Sequence, residues 1–302
     1  MISECERTRL GERRSEVTLF SQHRARTVAR ILREAAQAEI LPRFQGTIAQ
    51  EIRQTTSSFD LVTDADEAAE AAIAAALRRE FPGCTVVGEE ASARDPTLLD
   101  RISDADLTFV VDPVDGTKNF SAGLPLFGVM AAVVWRGEII AGVIFDPIRD
   151  DWAMALKGEG AWIENRHGRL TNLQVGAPPP VSGMSGIVNW LFFPTPLKAQ
   201  ITANLSRVAA AVDYRCAAHQ YRAVAAGHYD FALYGKMTPW DHAPGVLIHQ
   251  EAGGYAACLD GRPYTVRQRS GGLLCAPTEE SWHMLREALV GDLDKGSDQV
   301  RL

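Results

Sequence analysis

Residues 110–120 read Val-Val-Asp-Pro-Val-Asp-Gly-Thr-Lys-Asn-Phe. An apolar run precedes Asp112 and predicts a strand, and Asp115 follows three residues later. Gly116 and Thr117 come next, where the backbone can turn and begin a helix. Carboxylates in such a loop are suited to divalent cations, and N–H groups at a helix start are suited to an anion such as phosphate. The same residues would also suit an ordinary turn in which two Asp side chains cap a helix.

Two further segments narrow this choice. Residues 88–90, Gly-Glu-Glu, follow a second predicted strand, Cys84–Val87. Residues 240–245, Trp-Asp-His-Ala-Pro-Gly, come much later and precede Glu-Ala-Gly-Gly at 251–254. With Asp-Pro-Val-Asp-Gly-Thr, in this order and at this spacing, these segments resemble the inositol monophosphatase family of Mg-dependent, lithium-sensitive phosphatases. The resemblance covers nearly the whole chain and implies a layered αβαβα sandwich that hydrolyses a phosphate monoester.

The resemblance also implies a role for each acid in these segments. Glu89 and Asp112, with the backbone carbonyl of Val114, are expected to hold one metal ion. Asp112, Asp115 and Asp241 are expected to hold a second. The implied cofactor is Mg²⁺, two or three ions, which is a hard cation that takes oxygen ligands and keeps several waters. Four acids in one cleft would otherwise repel one another strongly.

The catalytic residues that the resemblance implies are Asp66, Glu89 and Thr117, with Asp66 and Thr117 together orienting the attacking water. The N–H groups of Gly116 and Thr117 are expected to receive the phosphate at a helix start. The full set of expected substrate contacts is Asp115, Gly116, Thr117, Ala217, Tyr234 and Asp241.

Several of these acids also have a purely structural interpretation. Asp66 stands at the spacing of a capping box and could only cap a helix. Asp241 could be the N-cap of the helix that follows it. Glu90, beside Glu89, is expected on the surface. His242 is expected to be structural or solvent-facing, because a Mg²⁺ site needs oxygen ligands.

The segment expected to meet the leaving group departs from the family pattern. Inositol-cleaving relatives carry a Gly-Ser/Thr pair where this chain has Arg215-Cys216. They carry an acid seven residues before the last aspartate, where this chain has Tyr234. Both changes remove groups that recognise inositol and leave the acids in place, which indicates a phosphatase for another small phosphate ester. Arg215, Arg222 or Lys236 could bind a second anionic group or could be surface charges.

Composition narrows the function classes further. Of the 302 residues, 46% are hydrophobic, which suffices for a substantial core in one large or two associated domains. A net charge of −7 argues against a nucleic-acid surface. Five scattered cysteines without a CxxC pair indicate free thiols in a reducing compartment. No signal peptide is expected, and no apolar run approaches the roughly 20 residues that span a bilayer, so a cytoplasmic protein is expected.

The chain is expected to divide into three parts. Residues 1–20 are polar and predict a flexible tail. Residues 21–177 predict an α+β half that binds the metal, and residues 178–302 an α/β half that completes the active site. Pro178-Pro179-Pro180 marks the boundary between the two halves.

Local patterns predict individual elements within these halves. Apolar spacing predicts helices over Gln22–Leu41, Thr63–Phe81 and Leu197–Ala211. Residues 46–58 are rich in Thr and Ser and predict a mobile loop. Arg136-Gly137 separates two β-rich runs and predicts a hairpin turn.

These features favour a cytoplasmic phosphatase that hydrolyses a sugar or polyol phosphate with a metal-activated water, as a homodimer by resemblance. The closest alternative is a 3′(2′),5′-bisphosphate nucleotidase, which would need an adenine pocket that the sequence does not locate. An alternative from another class is a non-catalytic binding protein of an RNA-associated complex. The intact acids argue against lost catalysis, and the acidic charge argues against direct RNA contact. The expected partner is a small phosphorylated metabolite, with no membrane and no nucleic acid.

Overall fold

The computed structural model describes residues 20–44, 46, 52–54 and 61–291, and only the backbone of residues 52–54, 61 and 62. The α-helices, numbered in chain order, are α1 (Gln22–Ala35), α2 (Leu41–Phe44), α3 (Asp64–Glu80), α4 (Glu89–Arg94), α5 (Arg101–Asp104), α6 (Thr117–Ser121), α7 (Leu197–Asn204), α8 (Ala217–Ala225), α9 (Pro239–Glu251) and α10 (Glu279–Leu289). The strands are β1 (Ile52–Gln54), β2 (Leu61–Thr63), β3 (Thr85–Gly88), β4 (Leu107–Asp115), β5 (Gly128–Trp135), β6 (Glu138–Asp146), β7 (Asp151–Leu156), β8 (Gly160–Asn165), β9 (Leu170–Asn172), β10 (Ser185–Val188), β11 (Ala210–Val212), β12 (Phe231–Tyr234), β13 (Tyr255–Cys258) and β14 (Leu273–Ala276).

The first layer is the helix pair α1 and α3. The predicted first helix is confirmed and runs on through a π-helical turn, Ala36–Ile40, into α2. The predicted capping box at the start of α3 is also confirmed, since the Asp66 carboxylate accepts the backbone N–H of Thr63 at 2.8 Å. Phe20, which the sequence analysis placed in the flexible tail, is instead buried and stacks on Phe81, so its placement there was wrong. The rest of that tail lies outside the described residues.

Part of the predicted mobile loop at residues 46–58 is a strand. β1 lies in this range and pairs antiparallel with β2, which leads directly into α3. The remaining loop residues, apart from Gly46, lie outside the described part of the chain. The prediction of a mobile loop is therefore wrong for the residues of β1.

The second layer is a seven-stranded sheet in the order β3-β4-β5-β6-β7-β8-β9. β3 and β4 are parallel, and every later neighbour is antiparallel. The predicted hairpin joins β5 to β6 through Arg136 and Gly137, both at positive φ. Both faces of this sheet are buried: in β5, Val129, Ala131 and Val133 contact the α1/α3 side, and Met130, Ala132 and Val134 face the other side.

A β-bulge shapes the end of β4. Asp112 is opposite Met130 and Asp115 is opposite Gly128, so three steps on β4 match two on β5. Two side chains three residues apart in a regular strand point to opposite faces. The extra residue in the bulge shifts this alternation, so the side chains of both aspartates can point to the same side of the sheet. Pro113 within the bulge has no N–H to lose from the ladder.

The fourth layer is a five-stranded sheet in the order β11-β10-β12-β14-β13. β11, β10 and β12 are parallel, and β14 is antiparallel to both of its neighbours. The helix predicted over Leu197–Ala211 was too long. It ends at Asn204, a 3₁₀ turn follows, and residues 210–212 form the edge strand β11. The small apolar residues there pair with β10, and this tertiary pairing overrides their helical propensity.

Helices α8 and α9 form the third layer, between the two sheets. They pack closely, because a Cβ at Gly245 of α9 would lie 2.1 Å from the Tyr221 ring of α8. Helices α7 and α10 cover the outer face of the five-stranded sheet, where the Trp282 side chain of α10 is fully buried. The layers therefore run αβαβα, and the predicted fold class is confirmed. No helix among the described residues is long and apolar enough to cross a membrane.

Candidate active site

A cavity of about 350 Å³ opens where several strands end. β3 and β4 reach it from the seven-stranded sheet, and the parallel strands β10 and β12 from the five-stranded sheet. Carboxyl ends of parallel strands meet at one edge, which makes such an edge a common ligand site. Nine of the residues predicted from the sequence line this cavity, namely Glu89, Asp112, Val114, Asp115, Gly116, Thr117, Ala217, Tyr234 and Asp241.

Four carboxyl groups from three separate segments form what we call the acid wall: Glu89, Asp112, Asp115 and Asp241. Glu89 is the first residue of α4, directly after β3, and the two aspartates end β4. Asp241 lies in the first turn of α9. The N-cap of α9 is Thr238, so Asp241 does not occupy the N-cap position that its structural interpretation required.

Burial and neighbouring charges raise the pKa values of three acids in this wall. Burial raises the pKa of Glu89, and the charge of Asp241 raises it further. Burial also raises the pKa of Asp112, with the charge of Glu89 next in effect. The pKa of Asp115 rises to about 6 through burial and the charge of Asp241. The acid wall is therefore a coupled cluster whose ionisation is costly without a compensating cation.

Asp115 is fixed by the start of α8. Its Oδ2 atom accepts the backbone N–H of Ala218 at 2.6 Å and the Cys216 thiol at 2.9 Å. Both bonds favour the ionised carboxylate and oppose the effect of burial on its pKa. Arg215-Cys216 stands where the family has a Gly-Ser/Thr pair. The Cys216 thiol donates to this aspartate. Arg215 adopts a positive φ of 52°.

Asp66 does not line the cavity but is joined to it through Thr117. The Thr117 Oγ1 atom lies 3.2 Å from Asp66 Oδ1 and 3.0 Å from the Val114 carbonyl oxygen. Asp66 Oδ2 accepts the N–H of Thr63 at 2.8 Å and its hydroxyl at 2.6 Å. Burial nevertheless raises the pKa of Asp66 to about 6. Asp66 thus caps α3 with one oxygen and contacts Thr117 with the other, so the two interpretations of this residue are compatible.

Glu90 is not on the surface, contrary to the sequence analysis. It is buried and lines the cavity beside Glu89. Its backbone N–H donates to Glu70, an acid that follows Asp66 along α3. Burial raises the pKa of the Glu90 carboxyl to about 7, and the charge of Asp66 adds to this. The packing of α4 against α3 turns this residue inward, which sequence neighbours alone do not reveal.

The donor chemistry of the acid wall fits a hard divalent cation. All of its side-chain donors are carboxylate oxygens, and Asp112 Oδ1 is buried without a hydrogen-bond partner among the described residues. In the described part of the chain, however, no group of three or more His, Cys, Asp or Glu side chains is arranged to hold an ion as the side chains stand. The acid wall therefore supplies suitable ligand atoms, but its side chains would have to rearrange to coordinate an ion.

Three neutral polar residues also line the cavity. We call Asn189, Gln220 and Tyr234 the amide wall; each is buried and lines the cavity. Asn189 follows β10, Gln220 lies on α8, and Tyr234 ends β12 and stacks on Tyr221. The Asn189 Oδ1, Gln220 Oε1 and Tyr234 hydroxyl atoms have no hydrogen-bond partner among the described residues.

The three basic residues considered for a second anion are placed differently. Arg215 and Lys236 line the cavity. Arg222 does not, because it is buried in an ion pair with Asp151, so it is not available to a substrate. His242 lines the cavity but is buried rather than solvent-facing, with Nε2 2.7 Å from the Lys236 carbonyl oxygen and Nδ1 2.9 Å from the Tyr221 hydroxyl.

Sequence reasoning missed Asn189 and Gln220. Asn189 stands alone after a short strand, and Gln220 lies within an alanine-rich helix, so neither belongs to a motif. One signal was present, because residues 213–219 were already recognised as facing the leaving group. A residue one position beyond that segment, on the same helix, could have been included.

Comparison with known proteins agrees with this geometry. The model of the inositol monophosphatase family matches residues 13–295. The chain is 33% identical over 233 residues to the Nus factor SuhB of Haemophilus influenzae, which covers 76% of this chain and 82% of the relative. It is also 33% identical over 208 residues to the inositol-1-monophosphatase of Mesorhizobium japonicum, which covers 67% of this chain and 73% of the relative.

A solved structure shows the same fold. The extragenic suppressor protein suhB from Bartonella henselae superposes with a TM-score of 0.74 at 25% identity, covering 88% of this chain and 97% of that one. Fold, family model and relatives agree with the motifs at 88–90, 112–117 and 240–245. This chain belongs to the inositol monophosphatase family and is a phosphoric monoester hydrolase.

Proposed function

We propose that this protein is a Mg²⁺-dependent phosphatase that hydrolyses a small sugar or polyol phosphate in the cytoplasm. The observation that carries the proposal is the acid wall, in which four carboxyl groups line one cavity and the pKa values of Glu89, Asp112 and Asp115 are raised. Such a cluster is unfavourable for folding alone, and a cation site accounts for it. The described cysteines, Cys84, Cys216, Cys258 and Cys275, carry free thiols, which supports a reducing compartment.

Glu89, Asp112, Asp115 and Asp241, with the Val114 carbonyl, would hold Mg²⁺, as two or three ions. The Val114 carbonyl oxygen lies 3.0 Å from Thr117 Oγ1, and its lone pairs can accept a cation. When bound, Mg²⁺ lowers the pKa of a coordinated water and neutralises charge on the phosphate oxygens. These ligand residues would place the Mg²⁺ charge in the same cavity as Thr117, the first residue of α6.

Asp66 and Thr117 are proposed to position the attacking water. An ionised Asp66 Oδ1 accepts the Thr117 hydroxyl proton, which leaves the lone pairs of Thr117 Oγ1 to accept from a water in the cavity. Burial raises the pKa of Asp66 to about 6, so this carboxylate is mostly ionised at neutral pH and still basic enough to influence a proton. Glu89, which lines the same cavity as Thr117, is proposed to act with this pair.

The phosphate is proposed to bind at the turn between β4 and α6. Gly116 has a φ of 87°, which turns the chain sharply before Thr117 begins the helix. The first N–H groups of a helix have no intrahelical acceptor and suit an anion. A Cβ at Gly116 would lie 2.9 Å from the Leu126 carbonyl oxygen, so any side chain here would disturb the turn. Ala217 is proposed to contact the substrate from the start of α8.

Phosphate release from a substrate panel tests this proposal. Inositol 1-phosphate, fructose 1,6-bisphosphate, glycerol 2-phosphate and 3′-phosphoadenosine 5′-phosphate are each assayed with Mg²⁺ and with EDTA. We expect turnover of at least one monoester that requires Mg²⁺, with inositol 1-phosphate a poor substrate. A folded protein that releases no phosphate from any of them at any Mg²⁺ concentration contradicts the proposal. Fastest turnover of the adenosine bisphosphate would instead support the nucleotidase.

A second candidate function follows from the names of the relatives. Several are called Nus factor SuhB, so a role as a binding protein in an RNA-associated complex is the alternative. The net charge of −7 and the retained acid wall weigh against direct RNA contact and against lost catalysis.

A homodimer and a division at Pro178–Pro180 into residues 21–177 and 178–302 are proposed as well. Gel filtration with light scattering tests the dimer.

A further inference from the structure

Two members of the amide wall, Asn189 and Gln220, share one half-buried carboxylate, that of Asp213. Asp213 Oδ1 accepts the Asn189 Nδ2 group at 3.0 Å and the Gln220 Nε2 group at 3.1 Å. It also accepts the backbone N–H of Arg215 at 2.8 Å. Asn189 and Asp213 follow the adjacent parallel strands β10 and β11, and Gln220 lies in the helix after them. Three segments therefore converge on a single acceptor atom.

This contact fixes which atom of each amide is unpaired. An ionised carboxylate can only accept hydrogen bonds, so the NH₂ groups of both amides must face Asp213. The Asn189 Oδ1 and Gln220 Oε1 atoms are then the unpaired ends, and both are buried without a partner among the described residues. Gln220 has no exposed surface and Asn189 is 7% exposed. A buried acceptor without a donor is unfavourable, and a ligand that donates a hydrogen bond would relieve this.

The chemistry of these atoms selects a class of ligand. Amide oxygens accept from hydroxyl groups and offer nothing to a phosphate or carboxylate. Tyr234, at the end of the neighbouring strand β12, adds a hydroxyl that can accept or donate. Since the acid wall and the Gly116 turn lie in the same cavity, a phosphate ester held there would place its leaving group against the amide wall.

We propose that Asn189 and Gln220 select phosphate esters whose leaving group carries hydroxyl groups, and that Asp213 is a positioning residue that holds both amide oxygens ready to accept. This rests on the proposed function, because it assigns the leaving-group side of the same site. It gives a physical reason for a sugar or polyol substrate in a chain that lacks the family's acid at position 234. Two oriented neutral acceptors take the place of one charged acceptor.

A matched pair of substrates tests this proposal. Glycerol 2-phosphate and isopropyl phosphate share one carbon skeleton and differ by two hydroxyl groups. Wild-type protein should show a higher kcat/KM for glycerol 2-phosphate. Asn189→Leu and Gln220→Met should each reduce this preference about tenfold, as expected for one lost hydrogen bond, mainly through a lower kcat/KM for glycerol 2-phosphate. Gln250→Met, on the exposed end of α9, is the matched control and should change neither substrate.

Asp213→Asn tests the positioning role without removing either amide. Its side chain can donate as well as accept, so the two amides lose their fixed orientation, and the preference should fall while isopropyl phosphate turnover is kept. Equal loss for both substrates in every variant would show a purely structural role and overturn the proposal. An unchanged preference in all variants would also overturn it. If wild type hydrolyses neither ester with Mg²⁺, the proposed function fails for these esters and the selection proposal fails with it.

Discussion

The acid wall and the amide wall lie in one cavity, yet different forces hold them in place. The acid wall concentrates like charge: Asp112 and its neighbours raise one another's pKa values. The residues of the amide wall are neutral: Asn189 and Gln220 are held by hydrogen bonds to Asp213, and Tyr234 stacks on Tyr221. Repulsion makes the first wall dependent on a cation, whereas the second is complete before any ligand binds. We therefore expect the first wall to control rate and metal dependence, and the second to control which ester is chosen.

The largest expected effect is on the acid wall. Asp112→Asn removes one charge from the centre of the coupled cluster, and phosphate release should fall by ~10³-fold or more. The fold should survive, because the substitution relieves repulsion in the metal-free protein. Phosphate release and circular dichroism measure the two outcomes. Asp104→Asn, an exposed acid outside the cavity, is the control and should be fully active. Mg²⁺-dependent turnover near wild type in a folded Asp112→Asn protein would remove Asp112 from the site.

A second effect concerns stability. Asp66 has a folded-state pKa of about 6, above its ordinary value, so its contribution to stability is complete below about pH 4 and is lost as pH rises through 6. This rise in the pKa of Asp66 corresponds to a loss of about 3 kcal/mol of folding stability at neutral pH, relative to pH 4. Asp115, also raised to about 6, acts in the same direction. Asp66, beside the cavity, and Asp115, in the acid wall, should therefore both destabilise the metal-free fold as pH rises from 4 to 7.

Urea unfolding at pH 5 and pH 7.5, with EDTA or with Mg²⁺, measures this. Mg²⁺ should increase the free energy of unfolding by more at pH 7.5 than at pH 5, because protons and the cation compete for the same carboxylates. Asn189→Leu, on the neutral wall, should lower all four values by a similar amount and leave the difference unchanged. An equal effect of Mg²⁺ at both pH values would contradict the coupled acid cluster.

The third effect is on the Asp66–Thr117 pair. Thr117→Val keeps the size of the side chain and removes the hydroxyl that contacts Asp66 and the Val114 carbonyl. We expect kcat to fall by about 10²-fold with little change in KM, since the substitution affects the orientation of the water rather than binding. Thr171→Val, on the exposed edge strand β9, provides the matched control. A rise in KM with kcat unchanged would assign Thr117 to substrate binding only.

The smallest effect is on selectivity at Tyr234. Tyr234→Glu restores the acid of inositol-cleaving relatives and should raise kcat/KM for inositol 1-phosphate, relative to the best native substrate, by about tenfold. Tyr234→Phe keeps the ring that stacks on Tyr221 and removes the hydroxyl, and should leave this ratio within about threefold. The same ratio in both variants would show that the Tyr234 ring only packs at the end of β12.

Most of the fold was predictable from local patterns. The β-rich runs of β5 and β6, the hairpin at Arg136-Gly137 and the capping box at Thr63 and Asp66 each depend on neighbours within a few residues. Predictions failed where contacts between residues far apart in the sequence determined the local structure. Residues 210–212 have a helical composition but pair with β10, and Phe20 follows a polar segment but packs on Phe81. In both cases a partner far along the chain outweighed local propensity.

The sequence by itself determined the acids of the site, because metal and phosphate chemistry requires carboxylates and a tight glycine turn in contiguous motifs. Only the tertiary structure decided how those acids meet, through the bulge that aligns Asp112 with Asp115 and the packing that buries Glu90. The amide wall also belongs to tertiary structure alone. Asn189 and Gln220 are ordinary residues in sequence, and they become oriented acceptors because Asp213, brought beside them by parallel strands and a following helix, can only accept their N–H groups.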